Sequence, residues 1–213
     1  MKKLIAFLVC ALCAFMLFAC NKPADNGGDN GENHNNNSQT NEDLDKELDA
    51  KYKGFATGKK LYLTTIGQGE IEVIESFFDD LDMVAGEDYV KNNNLTAADV
   101  EDGGVVFVVV GTSGKGLGAA KTDLNGEKAR ANDFIAKEGI TLVVFHVGGE
   151  GRRGAQSDPI IEIVCPKAAV LLVVNTGNAD GLFTTIAKDN NIDLYLFSKT
   201  IKLDSAIKTL LNK

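Results

Sequence analysis

The feature that most narrows the fold is an alternation. Five short apolar runs rich in β-branched residues occupy positions 61–66, 105–110, 142–147, 170–174 and 194–197. They read as strands covered on both faces. Between and after them lie stretches of helical periodicity, at 71–83, 124–137, 159–167, 182–190 and 205–211. Strand and helix in turn, with short links, means βαβ units whose right-handed crossovers build a parallel sheet with helices on both faces. Positions 88–91 read as a further edge strand, followed by a helix capped at Thr96 with Asp99 at the capping-box position. The expected fold class is therefore α/β: a single doubly wound, mostly parallel sheet of five or six strands, Rossmann-like or flavodoxin-like. A barrel of eight such units would need a longer chain.

The N-terminus specifies a destination. Lys2 and Lys3 precede an apolar run that ends in Leu17-Phe18-Ala19-Cys20. A basic region, an apolar region and a small residue before the cut make a secretory signal peptide over residues 1–19. The run is too short to span a bilayer comfortably. Leu-Phe-Ala-Cys resembles the bacterial lipobox, which implies that Cys20 is lipidated and becomes the mature N-terminus. Acyl chains there would anchor the protein to the lipid bilayer without a spanning helix. Cys10 and Cys13 leave with the signal peptide, so only Cys165 remains and no intramolecular disulfide can form. Cys165 precedes Pro166 in an apolar segment and reads as a buried structural cysteine rather than a nucleophile.

Residues 20–57 read as an acidic tether. From Asn21 to Thr40 the chain is Asn, Asp, Gly and Ser with almost nothing apolar, a composition that cannot offset its ordering entropy. His34 is a solvated residue within it. Leu44, Leu48, Tyr52 and Phe55 then recur at helical spacing, so a short amphipathic helix is expected near the tether's end. The α/β domain is expected over residues 58–213.

Chemistry concentrates in the loops that follow the strands, which a parallel sheet brings to one rim. The richest is the sequence TLVVFHVGGEGRRG, positions 141–154, where a buried strand opens into glycines and two arginines. His146 is the only histidine outside the N-terminal tail, and Arg130 is the only arginine besides Arg152 and Arg153. Arginine offers a planar fork matched to carboxylate or phosphate. Glycine-rich turns also follow the strands ending at Ile66, Val110 and Val174. Successive glycines can form an anion-holding nest of backbone N–H groups. The expected ligand-binding residues are Gln68, Ser113, Lys115, Gly116, Gly118, His146, Arg152 and Arg153. His146 is either a strand cap bonded to a backbone carbonyl or a ligand or proton-transfer group. Of the adjacent arginines, one is expected to reach the pocket and the other to pair with Glu150 or Asp158. Arg130 reads as a helix salt-bridge partner of Asp133 or Glu127.

Familiar motifs fail here. Gly111-Thr112-Ser113-Gly114-Lys115-Gly116 lacks the spacing and the final Ser or Thr of a P-loop. Gly114, Gly116 and Gly118 give G-x-G-x-G, not the dinucleotide fingerprint. The rim loops hold no Trp or Tyr to wall a flavin, and Gly111 stands where a phosphoacceptor receiver domain needs Asp. Nothing like G-x-S-x-G supports a Ser113 nucleophile. No Cys/His cluster has zinc spacing, so no metal is expected. The cofactor, if any, is unspecified.

The G-x-S-G-K-G-L-G-A-A segment ending at Ala120, His146-Val147-Gly148-Gly149 with Arg152-Arg153-Gly154, and Ser157-Asp158 together resemble an uncharacterised family of bacterial lipoproteins with a single domain of this kind. The resemblance implies a cell-surface location and one shared site. It implies no substrate and no catalytic residue.

With a formal net charge of −8 and no basic stripe, nucleic acid is not an expected partner. A basic pocket in an acidic domain would instead attract a small anion. The leading expectation is an extracytoplasmic, lipid-anchored module that binds a small carboxylate or phosphate. The alternatives are an extracytoplasmic hydrolase or transferase using His146, and a surface interaction protein with no small-molecule ligand.

Overall fold

Each apolar run becomes a strand, and all of them join one sheet. In the computed structural model, which describes residues 44–213, the strands are β1 (Leu61–Ile66), β2 (Val90–Lys91), β3 (Val105–Val110), β4 (Thr141–His146), β5 (Ala168–Val174) and β6 (Asp193–Phe197). They lie in the order β2-β1-β3-β4-β5-β6, and every neighbouring pair is parallel. The helices α1 (Ile71–Asp79), α2 (Gly114–Ala119), α3 (Leu124–Ala136), α4 (Asp158–Val164), α5 (Leu182–Asn190) and α6 (Leu203–Leu211) fall between and after them. This is a doubly wound α/β sheet, and its first five strands follow the flavodoxin-like order.

The side-chain period of two divides each strand between two cores. Val105, Phe107 and Val109 of β3 pack on one face with Phe78 of α1 and Ile207 and Leu210 of α6. Val106, Val108 and Val110 pack on the other with Phe134 of α3, Ile161 of α4 and Phe183 of α5. Both faces are buried, which is why the central strands read as continuous apolar runs. Full burial of each such side chain contributes roughly 1.5–3 kcal/mol.

Helix ends move where local chemistry intervenes. The first helix stops at Asp79 instead of running to 83, because the chain turns through a left-handed Asp82 (φ 55°) and the Met83 N–H returns to the Phe78 carbonyl at 3.0 Å. α4 ends at Val164, and a 3-10 turn, Cys165–Lys167, carries the chain past Pro166, which cannot donate an α-helical bond. After β2 there is a 3-10 turn, Ala97–Asp99, in place of the expected helix. Its Asp99 carboxylate accepts from the Thr96 N–H at 2.8 Å and the Thr96 hydroxyl at 2.7 Å. The six-residue α2 forms despite its three glycines, nucleated by Ser113, whose Oγ accepts from the Gly116 N–H at 3.2 Å.

The expected signal peptide, Cys20 and the polar stretch as far as residue 43 lie outside the described residues. The segment after them is not one amphipathic helix. Residues 45–49 run without helix, and only Ala50–Tyr52 make a 3-10 turn. The open edge of β6 supplies a better partner for this backbone than its own helix would. Leu44 bridges Leu196 in parallel, and the Asp45 N–H donates to the Leu196 carbonyl at 2.8 Å. Leu48, Tyr52 and Ala56 are buried in the α1/α6 core, so the fold begins ahead of residue 58. The Tyr52 hydroxyl reaches the Asp193 carboxylate at 2.9 Å and the Ala169 carbonyl at 3.1 Å.

This strap should carry measurable stability. Leu48→Ala is expected to cost about 2–4 kcal/mol, and Tyr52→Phe about 0.5–1.5 kcal/mol, in urea unfolding. An unchanged midpoint in Leu48→Ala would remove the segment from the core.

Candidate functional site

The strand order opens a crevice at one place. From β1 the chain passes to α1 on one face, while from β3 it passes to α2 and α3, of which α3 packs on the other. Neighbouring strands whose loops diverge in this way leave a cleft at the rim. Here the two loops also touch. Gln68 and Thr112 form an antiparallel bridge, and the Ser113 N–H donates to the Gly67 carbonyl at 3.0 Å. A Cβ on Gly67 (φ 98°) would stand 2.6 Å from the Gly111 carbonyl oxygen, and one on Gly116 only 2.5 Å from that of Gln68. Glycine is required so that backbone can lie against backbone.

Beneath these loops sits a buried ion pair. Glu127 of α3 is 2% exposed. Its carboxylate accepts from the Gly67 N–H at 2.7 Å and from the Gln68 side-chain amide at 3.1 Å. Arg130, one turn on, pairs with Glu127 and donates to the carbonyls of Thr65 at 2.6 Å and Leu95 at 3.1 Å. Gln68 itself holds a left-handed φ of 61°, and its amide also donates to the Asn94 side-chain oxygen at 3.0 Å.

The resulting cleft has a volume of about 670 Å³, within the range of small-molecule sites. Gln68, Ser113, Lys115, Gly116 and Arg152, all named from the sequence, line it. Glu70, Glu72, Asn93 and Asn94 line it too, and the sequence reading missed all four. The two asparagines follow β2, and the polar run Asn92-Asn93-Asn94 after a strand was the available signal. The cleft is accordingly not the basic pocket expected, since two carboxylates face two cations. Arg152 donates through Nε to Glu70, while its Nη atoms and the Lys115 ammonium have no partner among the described residues.

Three expected residues stand elsewhere. Gly118 is exposed on α2 and does not line the cleft. Arg153 is turned inward, donating to Asp158 at 2.7 Å, to Asp180 at 2.8 Å and to the Gly177 carbonyl, with its guanidinium 5.5 Å above the Phe183 ring. Burial opposes that charge, but the hydrogen bonds to Asp180 and Asp158 outweigh it and hold the arginine's pKa above its ordinary value. Asp180 is correspondingly lowered by Arg153.

His146 is fully buried at the end of β4. Its Nδ1 lies 2.9 Å from the Val110 carbonyl oxygen and its Nε2 3.0 Å from that of Gly149. The ring stacks obliquely on Phe183 at 5.0 Å, and a Cβ on Gly177 would meet it at 2.5 Å. This is the strand-capping role, and it leaves no ring nitrogen facing the cleft. Cys165 is likewise fully buried, and burial pushes its thiol pKa up. No group of three or more His, Cys, Asp or Glu among the described residues could hold a metal ion.

Burial lowers the His146 pKa, against the pull of its two carbonyl neighbours. The unfolded histidine then binds a proton that the folded one resists, so stability falls as pH drops below about 6.5. Urea midpoints at pH 7.5 and 5.5 should differ more in the wild type than in His146→Gln. Equal differences in the two proteins would mean that the buried ring ionises freely.

No curated protein and no solved structure is detectably similar to this chain. Residues 58–211 match the family described as a domain of unknown function, DUF6305. That match takes in β1 to α6, cleft included, and the chain belongs to this family.

Proposed function

We propose that the protein is an extracytoplasmic, lipid-anchored binding module, holding a small ligand by its carboxylate or phosphate group in the cleft between the β1 and β3 loops. One observation carries this reading. Arg152 is oriented by Glu70 through Nε, and among the described residues neither its two Nη groups nor Lys115, which shares the cleft, has a partner. An oriented guanidinium loses little freedom when it binds an oxyanion, and a bidentate contact adds geometric selectivity. A hydrolase or transferase using His146 finds less support, because the ring is sealed beneath the rim and both nitrogens face backbone carbonyls.

The anchor rests on the lipobox at Cys20, outside the described residues. Among those residues no helix is long and apolar enough to cross a membrane. Cys20→Ala should therefore leave an unprocessed precursor or release the protein. A Cys20→Ala protein that still fractionates with membranes as a processed acyl-protein would defeat the lipoprotein reading.

For the cleft, a thermal-shift panel of phosphates, sulfate and di- and tricarboxylates, extended to compounds that carry such a group among others, is the direct test. A binding compound should raise the melting temperature of the wild type. Arg152→Ala should weaken it by roughly 1.5–3 kcal/mol, the worth of a hydrogen bond to a charged group, and Arg152→Lys should not restore it. If no compound stabilises the wild type, or the Lys115→Ala/Arg152→Ala variant responds equally, the interaction-protein reading takes its place.

A further inference from the structure

Resting on that cleft, a second set of observations narrows what it takes. The lining contains two cations, Lys115 and Arg152, and two carboxylates, Glu70 and Glu72. Glu70 is committed to Arg152. Glu72, in the first turn of α1, is exposed and has no partner among the described residues, and neither has Lys115. A simple dianion would satisfy the lysine and the open Nη groups, but it would share the cleft with an uncompensated carboxylate, and like charges in one site disfavour each other.

Gln68 adds an acceptor to the same side of the balance. Its amide nitrogen is taken by Glu127 at 3.1 Å and Asn94 at 3.0 Å, both acceptors, which fixes the orientation of the amide. The Gln68 Oε1 is thereby left without a partner among the described residues, and the residue lines the cleft. Open groups of both kinds therefore share one cleft: donors on Lys115 and Arg152, acceptors on Glu72 and Gln68. Apart from glycines and the stems of polar residues, its apolar lining is Ala119 and Ala120, with no aromatic ring. Such walls recognise charge and hydrogen bonding rather than an apolar body.

We infer that the ligand is a small zwitterion bearing a carboxylate and a primary ammonium, an α-amino acid or a short peptide. Its carboxylate sits on Arg152 and Lys115, and its ammonium on Glu72 with the Gln68 carbonyl oxygen.

The test is calorimetry on the full-length protein in detergent with three groups of probes. The first holds the twenty L-amino acids with diglycine and dialanine. The second is succinate and inorganic phosphate, and the third is ethanolamine and putrescine. At least one zwitterion should bind roughly tenfold or more tighter than any probe of the other groups. Glu72→Gln should abolish that advantage while leaving succinate and phosphate binding equal or stronger, and Lys115→Met should weaken both groups. Binding by amino acids but not dipeptides, or the reverse, identifies the source of the zwitterion. If succinate or phosphate binds as tightly as every zwitterion, or Glu72→Gln leaves the ratio unchanged, the zwitterion inference falls while the anion-binding cleft stands. If no probe binds, or only the amines do, both fall.

Discussion

The carboxylate of Glu127 is the constraint on which the cleft depends. A charge 2% exposed is tolerated only when it is paired and hydrogen-bonded. Glu127 meets that condition by drawing in the Gly67 N–H, the Gln68 amide and the Arg130 guanidinium. Arg130 in turn holds the Thr65 carbonyl at the end of β1 and the Leu95 carbonyl beyond β2. One ion pair on α3 therefore gathers the ends of two strands and the loop between β1 and α1. Among the described residues the buried Arg130 Nε has no hydrogen-bond partner, while the guanidinium's two Nη groups reach the Leu95 and Thr65 carbonyls and Glu127. The left-handed Gln68 is held from the same pair, so the cleft floor is set from beneath as well as by the contacts between its loops.

Seen from that floor, the rim glycines have a different meaning from the nests they suggested. Gly67 and Gly116 admit backbone from the facing loop, while Gly177 admits the edge of the His146 ring. A nest would leave its N–H groups pointing to solvent for an anion. Here the Gly67 N–H is spent on Glu127 and the Gly69 N–H on the Thr65 hydroxyl at 2.9 Å. Close approach of neighbouring backbone and of the His146 ring accounts for these glycines.

What could be read in advance follows from the range of the interactions involved. The five long strands were legible because a buried parallel strand writes its environment into consecutive residues. The switch-point cleft was half legible, since the loops after β1 and β3 were identified but the one after β2 was not. The strand before it was read at 88–91, but Asn92-Asn93-Asn94 reads as a plain turn until the pairing of Val90–Lys91 with β1 brings it to the rim. The strap was misread because Leu44, Leu48 and Tyr52 fit a helical period equally well. Only the distant edge of β6 decides between helix and extended chain. α2 was misread because three glycines in six residues argue against a helix, and its Ser113 cap and the contact at Gly116 are tertiary facts.

The arginines show why scarcity alone was an imperfect guide. Each of the three sits near the rim, yet the number of acceptors around it decides its use. Arg130 and Arg153 are 12% and 10% exposed and face several carbonyls and carboxylates. Arg152, 35% exposed, meets one carboxylate at one nitrogen. The chain's net charge of −8 opposes an approaching anion, but charges are damped over about 8 Å at physiological ionic strength. Within a cleft of this size, the contacting groups outweigh the distant acidic surface. In the proposed site, Arg152 and Lys115 would therefore hold the oxyanion, and Glu72 would set what else the ligand must carry.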